Sequence, residues 1–450
     1  MSKWRLVFLM FCASAACAQN NPPNTVAPPN RDAVSPTDRQ IQSLQSRVKQ
    51  SPRDYAAYDG LGSAFFQKAR ETGDVAYYDL AEQTLKKALD IAPQDFRAAD
   101  PLVHLALVDM GEHRFNDALA NAQKAITLGS GNTAAFAIEG DAYTDMGDYD
   151  QAAAAYNTVQ TLSHAVSAPG SFAYMTDSRI AYLRFLHGDS AGAVDLMKSA
   201  ILSALQTEMP RENLAWLYFE LGERFFQTGD LTNAALSYRA GITADPAHYR
   251  SLGGLAKVRA AQGKLDEAAA LYQQSITILP FPIYIEELGD VYRKMGREKE
   301  AQQQYDLVEY IGHLSELNRV LANRELALFY ADREIKLPEA LNLARKEFEI
   351  RHDIYTWDAM AWVLYKNGRV HEASDAMNHA LALHTNDPLL LFHAGMINHS
   401  LAKDAEAEEF LHRALYTNPH FHLFHAETAS RTLEEISRAR TRDLRSSNGQ

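Results

Sequence analysis

Small, aromatic and apolar residues recur along this chain at a spacing that fits pairs of short helices. The pattern is clearest between residues 215 and 280, where it occurs twice in succession. Gly222 and Ala256 are 34 residues apart, and the same interval separates Tyr238 from Tyr272. A fixed period of this size predicts a stacked-repeat architecture.

Each unit is predicted to form two helices joined by a tight turn. Gly229 ends the first helix, because glycine adopts the left-handed conformation that helix ends favour. Ala234 and Tyr238 lie four residues apart and therefore share one face of the second helix, which Pro246 terminates. Since one helical pair of this length cannot bury its apolar face alone, neighbouring pairs must stack into a continuous core.

The order Leu-Gly, aromatic, Gly-Asp, Ala, Tyr, Pro within residues 221–246 resembles the tetratricopeptide repeat, a helix–turn–helix module of this period. The resemblance implies an all-α fold, a right-handed α-solenoid of about ten repeats over residues 52–419. The small residue of the first helix falls at positions 62, 106, 140, 181, 222, 256, 289, 327, 361 and 395. The second, fourth and eighth repeats depart most from the pattern.

The N-terminal residues 1–18 have the features of a secretory signal peptide. A positively charged start and a short apolar run precede Ala16-Cys17-Ala18, which offers a cleavage site with Gln19 as the first mature residue. We therefore expect an exported protein, periplasmic or secreted. A lipoprotein acylated at Cys17 is the alternative.

Four further segments flank the repeats. A Pro-rich linker is predicted at residues 19–37, because its composition offers nothing to pack, and a lead-in helix at residues 38–51. A capping helix is predicted at residues 420–445, where a polar outer face would keep the solenoid soluble. Residues 446–450 are predicted to be a disordered tail.

Composition narrows the classes of function. The net charge of −13 disfavours a nucleic-acid partner, and no stretch after the signal segment is apolar enough to span a membrane. Both cysteines, Cys12 and Cys17, lie in the signal segment, which excludes disulfides and thiol chemistry in the mature chain. Because phosphate-loop, zinc-protease and serine-hydrolase motifs are absent, we predict no enzyme and no cofactor. An enzyme with a site between repeats is a further alternative.

The resemblance also indicates where a partner would bind. In tetratricopeptide repeat proteins the first helices line the concave side of the solenoid. The positions six and three before the small residue, and one, four and five after it, face this groove. Applied here, they place basic residues mid-groove between aromatic walls, as hot spots favour. The predicted groove residues are Tyr182, Phe185, Trp216, Phe219, Phe226, Arg250, Lys257, Arg293, Lys294, Arg324, Tyr355, Trp362, Tyr365 and Lys366.

This groove predicts a non-enzymatic scaffold for a protein or peptide partner. Its basic residues would attract a carboxylate, such as a chain terminus or an acidic segment. The competing interpretation is that some of the aromatic side chains pack against adjacent helices, because the repeats deviate from the pattern.

Ten of the 16 histidines lie between residues 352 and 425. His420, His422 and His425 come closest to a ligand cluster, since imidazole suits zinc, copper or nickel. No carboxylate lies within this cluster, so we predict no metal. An envelope protein that binds metal or a small ligand through this His-rich third is the alternative function. Further ligands would come from His393, His399 and His412.

Overall fold

The computed structural model describes residues 35–92, 95–129, 131–165, 173–317 and 323–447. The predicted signal peptide and nearly all of the predicted linker lie outside these ranges. Within them every regular element is helical, and a short 3-10 turn at Phe96–Ala98 is the only element that is not an α-helix.

Ten consecutive helical pairs make up the body of the molecule, with one further helix at each end. The flanking helices are α1 (Pro36–Gln50) and α22 (His425–Ser447). The pairs, numbered here as repeats 1 to 10, are α2 (Tyr55–Thr72) with α3 (Ala76–Ile91), α4 (Ala99–Gly111) with α5 (Phe115–Leu128), α6 (Thr133–Asp145) with α7 (Tyr149–Ala165), α8 (Ala173–Leu186) with α9 (Ser190–Ala204), α10 (Arg211–Gln227) with α11 (Leu231–Ala244), α12 (Tyr249–Ala261) with α13 (Leu265–Ile278), α14 (Pro282–Lys294) with α15 (Glu298–Leu317), α16 (Asn323–Asp332) with α17 (Leu337–Phe348), α18 (Ile354–Lys366) with α19 (Val370–Ala380), and α20 (Pro388–Ser400) with α21 (Asp404–Thr417).

The turn inside each repeat contains a residue in the left-handed conformation, which reverses the chain between the two helices. Seven of the repeats use glycine there, as the sequence pattern predicts. Repeats 2, 8 and 10 use His113, Glu334 and Ala402, with φ between 55° and 58°. The ten turn residues are Gly73, His113, Gly147, Gly188, Gly229, Gly263, Gly296, Glu334, Gly368 and Ala402.

The small residue of each first helix lies against the second helix of its own repeat. A Cβ atom added to Gly140 would lie 2.3 Å from the ring of Tyr156, and one added to Gly222 would lie 2.5 Å from the ring of Tyr238. Both tyrosines are buried. In repeats 3, 5 and 7 an aromatic ring of the second helix fills the space left by the glycine, and in repeats 1 and 10 a leucine does so.

The first helices line the inner side of the solenoid's curve. α10, α12, α14, α16 and α18 each contact the next first helix along the chain, whereas the second helices mainly contact their own partner and the next first helix. Shorter distances between first helices mean that they lie at the smaller radius. They form the concave face, as the resemblance implies.

Repeats that are six apart in sequence contact each other in the superhelix. In repeat 3, the carbonyl of Asp145 accepts a hydrogen bond of 3.2 Å from the backbone N–H of His352, at the entry to repeat 9. The hydroxyl of Tyr149 accepts one of 2.9 Å from the N–H of Ile354. A turn of the superhelix therefore rests directly on the next one.

The same offset recurs in the following repeats. Asn386, at the entry to repeat 10, donates its side-chain amide to the carbonyl of Gly188 in repeat 4 (3.1 Å). Asn418, after repeat 10, donates to the carbonyl of Phe226 in repeat 5 (2.7 Å). We call this contact between successive turns the seam. It comprises residues 73, 113–115, 145–149, 188 and 226–229 against residues 279, 351–354, 384–386 and 417–418.

Candidate interaction surface

Four of the aromatic residues predicted to face a partner are buried within the protein. Phe185, Phe219, Phe226 and Trp362 are each at most 8% exposed. Phe219, for example, packs against the ring of Tyr238 at a centroid distance of 5.9 Å. The prediction that these four form an open aromatic wall is wrong, because side chains of the same and the adjoining repeat cover them.

The other predicted aromatic residues are half-buried and already have neighbours. The guanidinium of Arg224 lies 5.4 Å from the ring centroid of Tyr182, and the hydroxyl of Tyr355 is 3.4 Å from a carboxylate oxygen of Asp387. The ring of Tyr365 stacks on the buried ring of Trp362 at 5.0 Å. Trp216 is half-buried against the hydrophobic core.

Most of the predicted basic residues are paired inside the protein as well. Nη1 of Arg324 lies 3.4 Å from a carboxylate oxygen of Asp353. The guanidinium of Arg250 lies 4.9 Å from the ring centroid of Phe281. Lys366 forms an ion pair with Glu334 at 2.7 Å. Acidic groups pair with Arg324 and Lys366, and an aromatic ring covers Arg250, so these three cations do not form a free basic surface.

Lys257 has the most complete set of partners. Its ammonium nitrogen lies 2.9 Å from both carboxylate oxygens of Glu223 and 4.6 Å from the ring centroid of Phe226. The same carboxylate accepts a hydrogen bond of 2.5 Å from the hydroxyl of Tyr238. Charge-assisted bonds of this kind are roughly twice as strong as neutral ones, so Lys257 is firmly held.

Arg293 and Lys294 contact the C-terminal segment, residues 419–427, which leads into α22 and includes its first residues. The guanidinium of Arg293 lies 3.8 Å from the ring centroid of Phe424, and Lys294 forms an ion pair with Glu427. The chain's own C-terminal segment therefore crosses the concave face of repeat 7.

An open cavity remains between this segment and repeats 5 to 7. Its volume is about 270 Å³. Three predicted groove residues border it: Phe226, Lys257 and Lys294. Further lining comes from α12, α13, α14 and the C-terminal segment, including Leu265, Tyr272, Glu287, Asp290, Val291, Phe421, His422, Leu423 and Glu427.

Four carboxylates at this site were not predicted: Glu287, Asp290 and Glu427 border the cavity, and Glu223 pairs with Lys257. Glu223 and Asp290 directly follow the small residues Gly222 and Gly289, so the groove positions would have found both had acidic residues been considered. Glu287 lies two residues before Gly289, at a position that the groove rule does not include. Burial raises the pKa of Glu287 to about 7.

The C-terminal histidines pack among aromatic rings. His393 stacks on Trp362 at a centroid distance of 4.0 Å, and His422 stacks on His425 at 4.0 Å. Nε2 of His425 is 3.2 Å from a carboxylate oxygen of Asp332. Burial lowers the pKa of His422 well below its ordinary value, so this imidazole is neutral.

The remaining histidines of the alternative metal site are dispersed. His420 and His412 are exposed, and Nδ1 of His399 lies 2.8 Å from a carboxylate oxygen of Asp404. In the part of the chain that the structure describes, no three His, Asp or Glu side chains are arranged to hold a metal ion. The same residues contain no helix with the length and hydrophobicity that crossing a bilayer requires.

The ten stacked helix–turn–helix pairs define the class: an α-solenoid of helical repeats. Two stretches, residues 219–281 and residues 134–163, match family models described as tetratricopeptide repeat. Tetratricopeptide repeat protein 8 of Caenorhabditis elegans is 27% identical over 192 residues, which cover 43% of this chain and 35% of that protein. The two matched stretches are therefore tetratricopeptide repeats, and the chain is similar to proteins of that family. The match spans about a third of the curated relative's length.

Solved structures give matches over most of the chain at low identity. The crystal structure of yeast Tom70 matches with 13% identity and a TM-score of 0.38, covering 90% of this chain and 93% of that chain. The APC/C hetero-tetramer Cut9-Hcn1 matches with 13% identity and a TM-score of 0.32, covering 88% and 92%. A tetratricopeptide repeat protein from Parabacteroides merdae matches with 16% identity and a TM-score of 0.33, covering 59% and 99%.

Proposed function

We propose that this protein is a non-enzymatic, exported scaffold that binds a protein or peptide partner on its concave face, at the cavity beside α12 and α14. The family supports a protein-interaction scaffold. The cavity is the observation on which the site depends, because Phe226, Lys257 and Lys294 border it. The other predicted groove residues contribute by holding the surrounding helices in place.

The size of the cavity suits one anchoring side chain of a larger partner. Its 270 Å³ falls below the range of about 300–1,000 Å³ that drug-sized ligands occupy. One inserted side chain would supply specificity, and the rest of the partner would lie along the concave surface. A central anchor in a pocket is the usual arrangement of a binding hot spot.

Capture of partners with two matched tryptophan variants tests the site. Ala261 borders the cavity, so Ala261→Trp would fill it, whereas Ala270 is exposed on α13 and Ala270→Trp would not. We expect wild type and Ala270→Trp to retain the same specific partner from envelope extracts, identified by mass spectrometry, and Ala261→Trp to lose it. Thermal unfolding of both variants checks that they are folded. A partner that Ala261→Trp retains at full strength would place the interaction elsewhere.

Export rests on the N-terminal residues, and the mass of the mature chain tests it. A chain that begins at Gln19 and is recovered outside the cytoplasm is the expected result. A lipid-modified mass beginning at Cys17 would favour the lipoprotein alternative. An intact N-terminus in the cytoplasm would contradict export.

A further inference from the structure

Glu287 carries a buried carboxylate oxygen that has no hydrogen-bond partner among the described residues. The residue lies on α14 and borders the 270 Å³ cavity. The hydroxyl of Tyr272 donates to its carboxylate, but within the described part of the chain Oε2 has no hydrogen-bond partner. A buried polar atom without a partner costs about 1–3 kcal/mol. A ligand donor that met this oxygen, once the Glu287 carboxylate turned toward the cavity, would therefore recover this free energy.

Lys257 offsets the charge of Glu287 only in part. Its positive charge lowers the pKa of Glu287 against the larger effect of burial, but its ammonium lies 2.9 Å from both oxygens of Glu223. The ammonium of Lys257 is thus shared between the carboxylates of Glu223 and Glu287. Both of its close oxygen contacts are with Glu223.

The remaining charged groups of the lining are paired with each other or with nearby residues. A carboxylate oxygen of Asp290 accepts hydrogen bonds from Arg333 (2.8 Å) and from the hydroxyl of Tyr305 (2.7 Å). Lys294 is paired with Glu427. Glu287 is therefore the charged group of the lining whose demand for a donor stays unmet.

We propose that the cavity binds a cationic side chain of the partner, lysine or arginine, with Glu287 as its counter-ion. This inference rests on the proposed function and specifies the chemistry of the anchor. It is opposite in sign to the carboxylate ligand that the basic groove residues predict. The reason is that four of those basic residues, Lys257, Lys294, Arg324 and Lys366, form ion pairs within the protein.

The apolar lining of the cavity fits the aliphatic part of such a side chain. Leu265 and Val291 border it from the repeats, and Phe421 and Leu423 border it from the C-terminal segment. Lysine and arginine bury their methylene stems along apolar surface while the charged end reaches a polar partner. An arginine would also offer several donors, enough to reach Oε2 and a second acceptor.

The protonation of Glu287 links binding to pH. In the empty cavity burial raises its pKa to about 7, and a bound cation would lower it. Binding must then release a proton, so affinity rises with pH through this range. The charged and titratable groups that line the cavity with Glu287, or pair with its lining, are Lys257, Tyr272, Glu223, Asp290, Lys294, Arg333, Tyr305, Glu427, His420 and His422.

Titration of the full-length protein with two small probes tests the proposal directly. Nα-acetyl-arginine amide carries the guanidinium, and Nα-acetyl-citrulline amide is its neutral isostere. By ligand-observed NMR with wild type at about pH 8, we expect the arginine probe to bind roughly tenfold more tightly, as a charged hydrogen bond would give over a neutral one. Equal affinities, or tighter binding of the citrulline probe, would overturn the proposal without any variant.

A matched pair of glutamine variants assigns the effect to Glu287. Glu287→Gln keeps an acceptor for Tyr272 but removes the charge, and Glu267→Gln removes a charge from a half-exposed surface pair with Arg259. We expect Glu287→Gln to lose the preference for arginine and Glu267→Gln to keep it. From about pH 8 to about pH 6 the wild-type affinity for the arginine probe should fall roughly tenfold, and that of Glu287→Gln should not change.

The two proposals fail separately. If the arginine probe shows no preference while Ala261→Trp still abolishes partner capture, the cationic anchor is wrong and the groove function stands. If the probe binds as expected but no captured partner depends on the cavity, the scaffold function at this site is wrong. The cavity is then a site for small cations.

Discussion

The glycine turns of the first superhelical turn differ from those of the second, although they look alike in sequence. A Cβ atom added to Gly147 would lie 2.6 Å from the carbonyl oxygen of His352. A Cβ atom added to Gly263 would meet nothing within 4 Å in the described structure. Gly188 and Gly229 behave like the former, and Gly296 and Gly368 behave like the latter.

A turn glycine therefore serves two physical purposes in this protein. Every one of these glycines allows the left-handed backbone that a turn requires. In repeats 3 to 5, however, the absent side chain also lets the next turn of the superhelix come into backbone contact. Repeats 6, 7 and 9 have no later turn above them, so only the backbone conformation matters there.

Alanine at the two kinds of turn should produce the largest contrast. Gly147→Ala combines a left-handed alanine, about 1–2 kcal/mol, with a clash against backbone, about 1–3 kcal/mol. Gly263→Ala carries only the cost of the left-handed alanine, because in the described structure no backbone lies near its Cβ position. We expect urea unfolding to show a loss of about 2–5 kcal/mol for Gly147→Ala and about 1–2 kcal/mol for Gly263→Ala. Equal losses would mean that the seam is not closed in solution.

Removal of one seam hydrogen bond should have an intermediate effect. Asn418 is fully buried, and its side chain bonds the carbonyl of Phe226 (2.7 Å) and the N–H of His420 (2.8 Å). Because Asn418→Ala leaves both groups without this partner, we expect a loss of about 1–3 kcal/mol in unfolding free energy. Asn378→Ala, at an exposed position of α19, should stay within about 0.5 kcal/mol of wild type. An Asn418→Ala protein as stable as this control would contradict the seam.

Loss of the ion pair across the concave face should have the smallest effect on the unfolding free energy. The side chains of Lys294 and Glu427 are 31% and 64% exposed, and exposed pairs contribute about 0–1 kcal/mol. We expect Lys294→Ala to lower the unfolding free energy by less than about 1 kcal/mol, with a further decrease in this effect at high salt. A loss as large as that of Asn418→Ala would show that the C-terminal segment is held more tightly than its exposure implies.

The prediction of the fold succeeded because each repeat carries its own local signals. The left-handed turn glycines and the Gly222–Tyr238 type of contact depend on residues close in sequence. The prediction of the groove was weaker, since Phe185 and Trp362 are buried by packing that the repeat pattern does not specify. Export and the binding of a partner remain predictions.

Residue pattern alone determined that this chain forms helical pairs, where each pair turns, and which face of each pair packs. Those features follow from backbone preferences and contacts within one or two repeats, and such information is local. How far the solenoid curves follows from the packing of many repeats and could not be read from the pattern. That curvature sums small rotations between repeats, and it brings Asp145 against His352. It also pairs Lys257 with Glu223 and, among the described residues, leaves Oε2 of Glu287, which no spacing rule selects, without a hydrogen-bond partner.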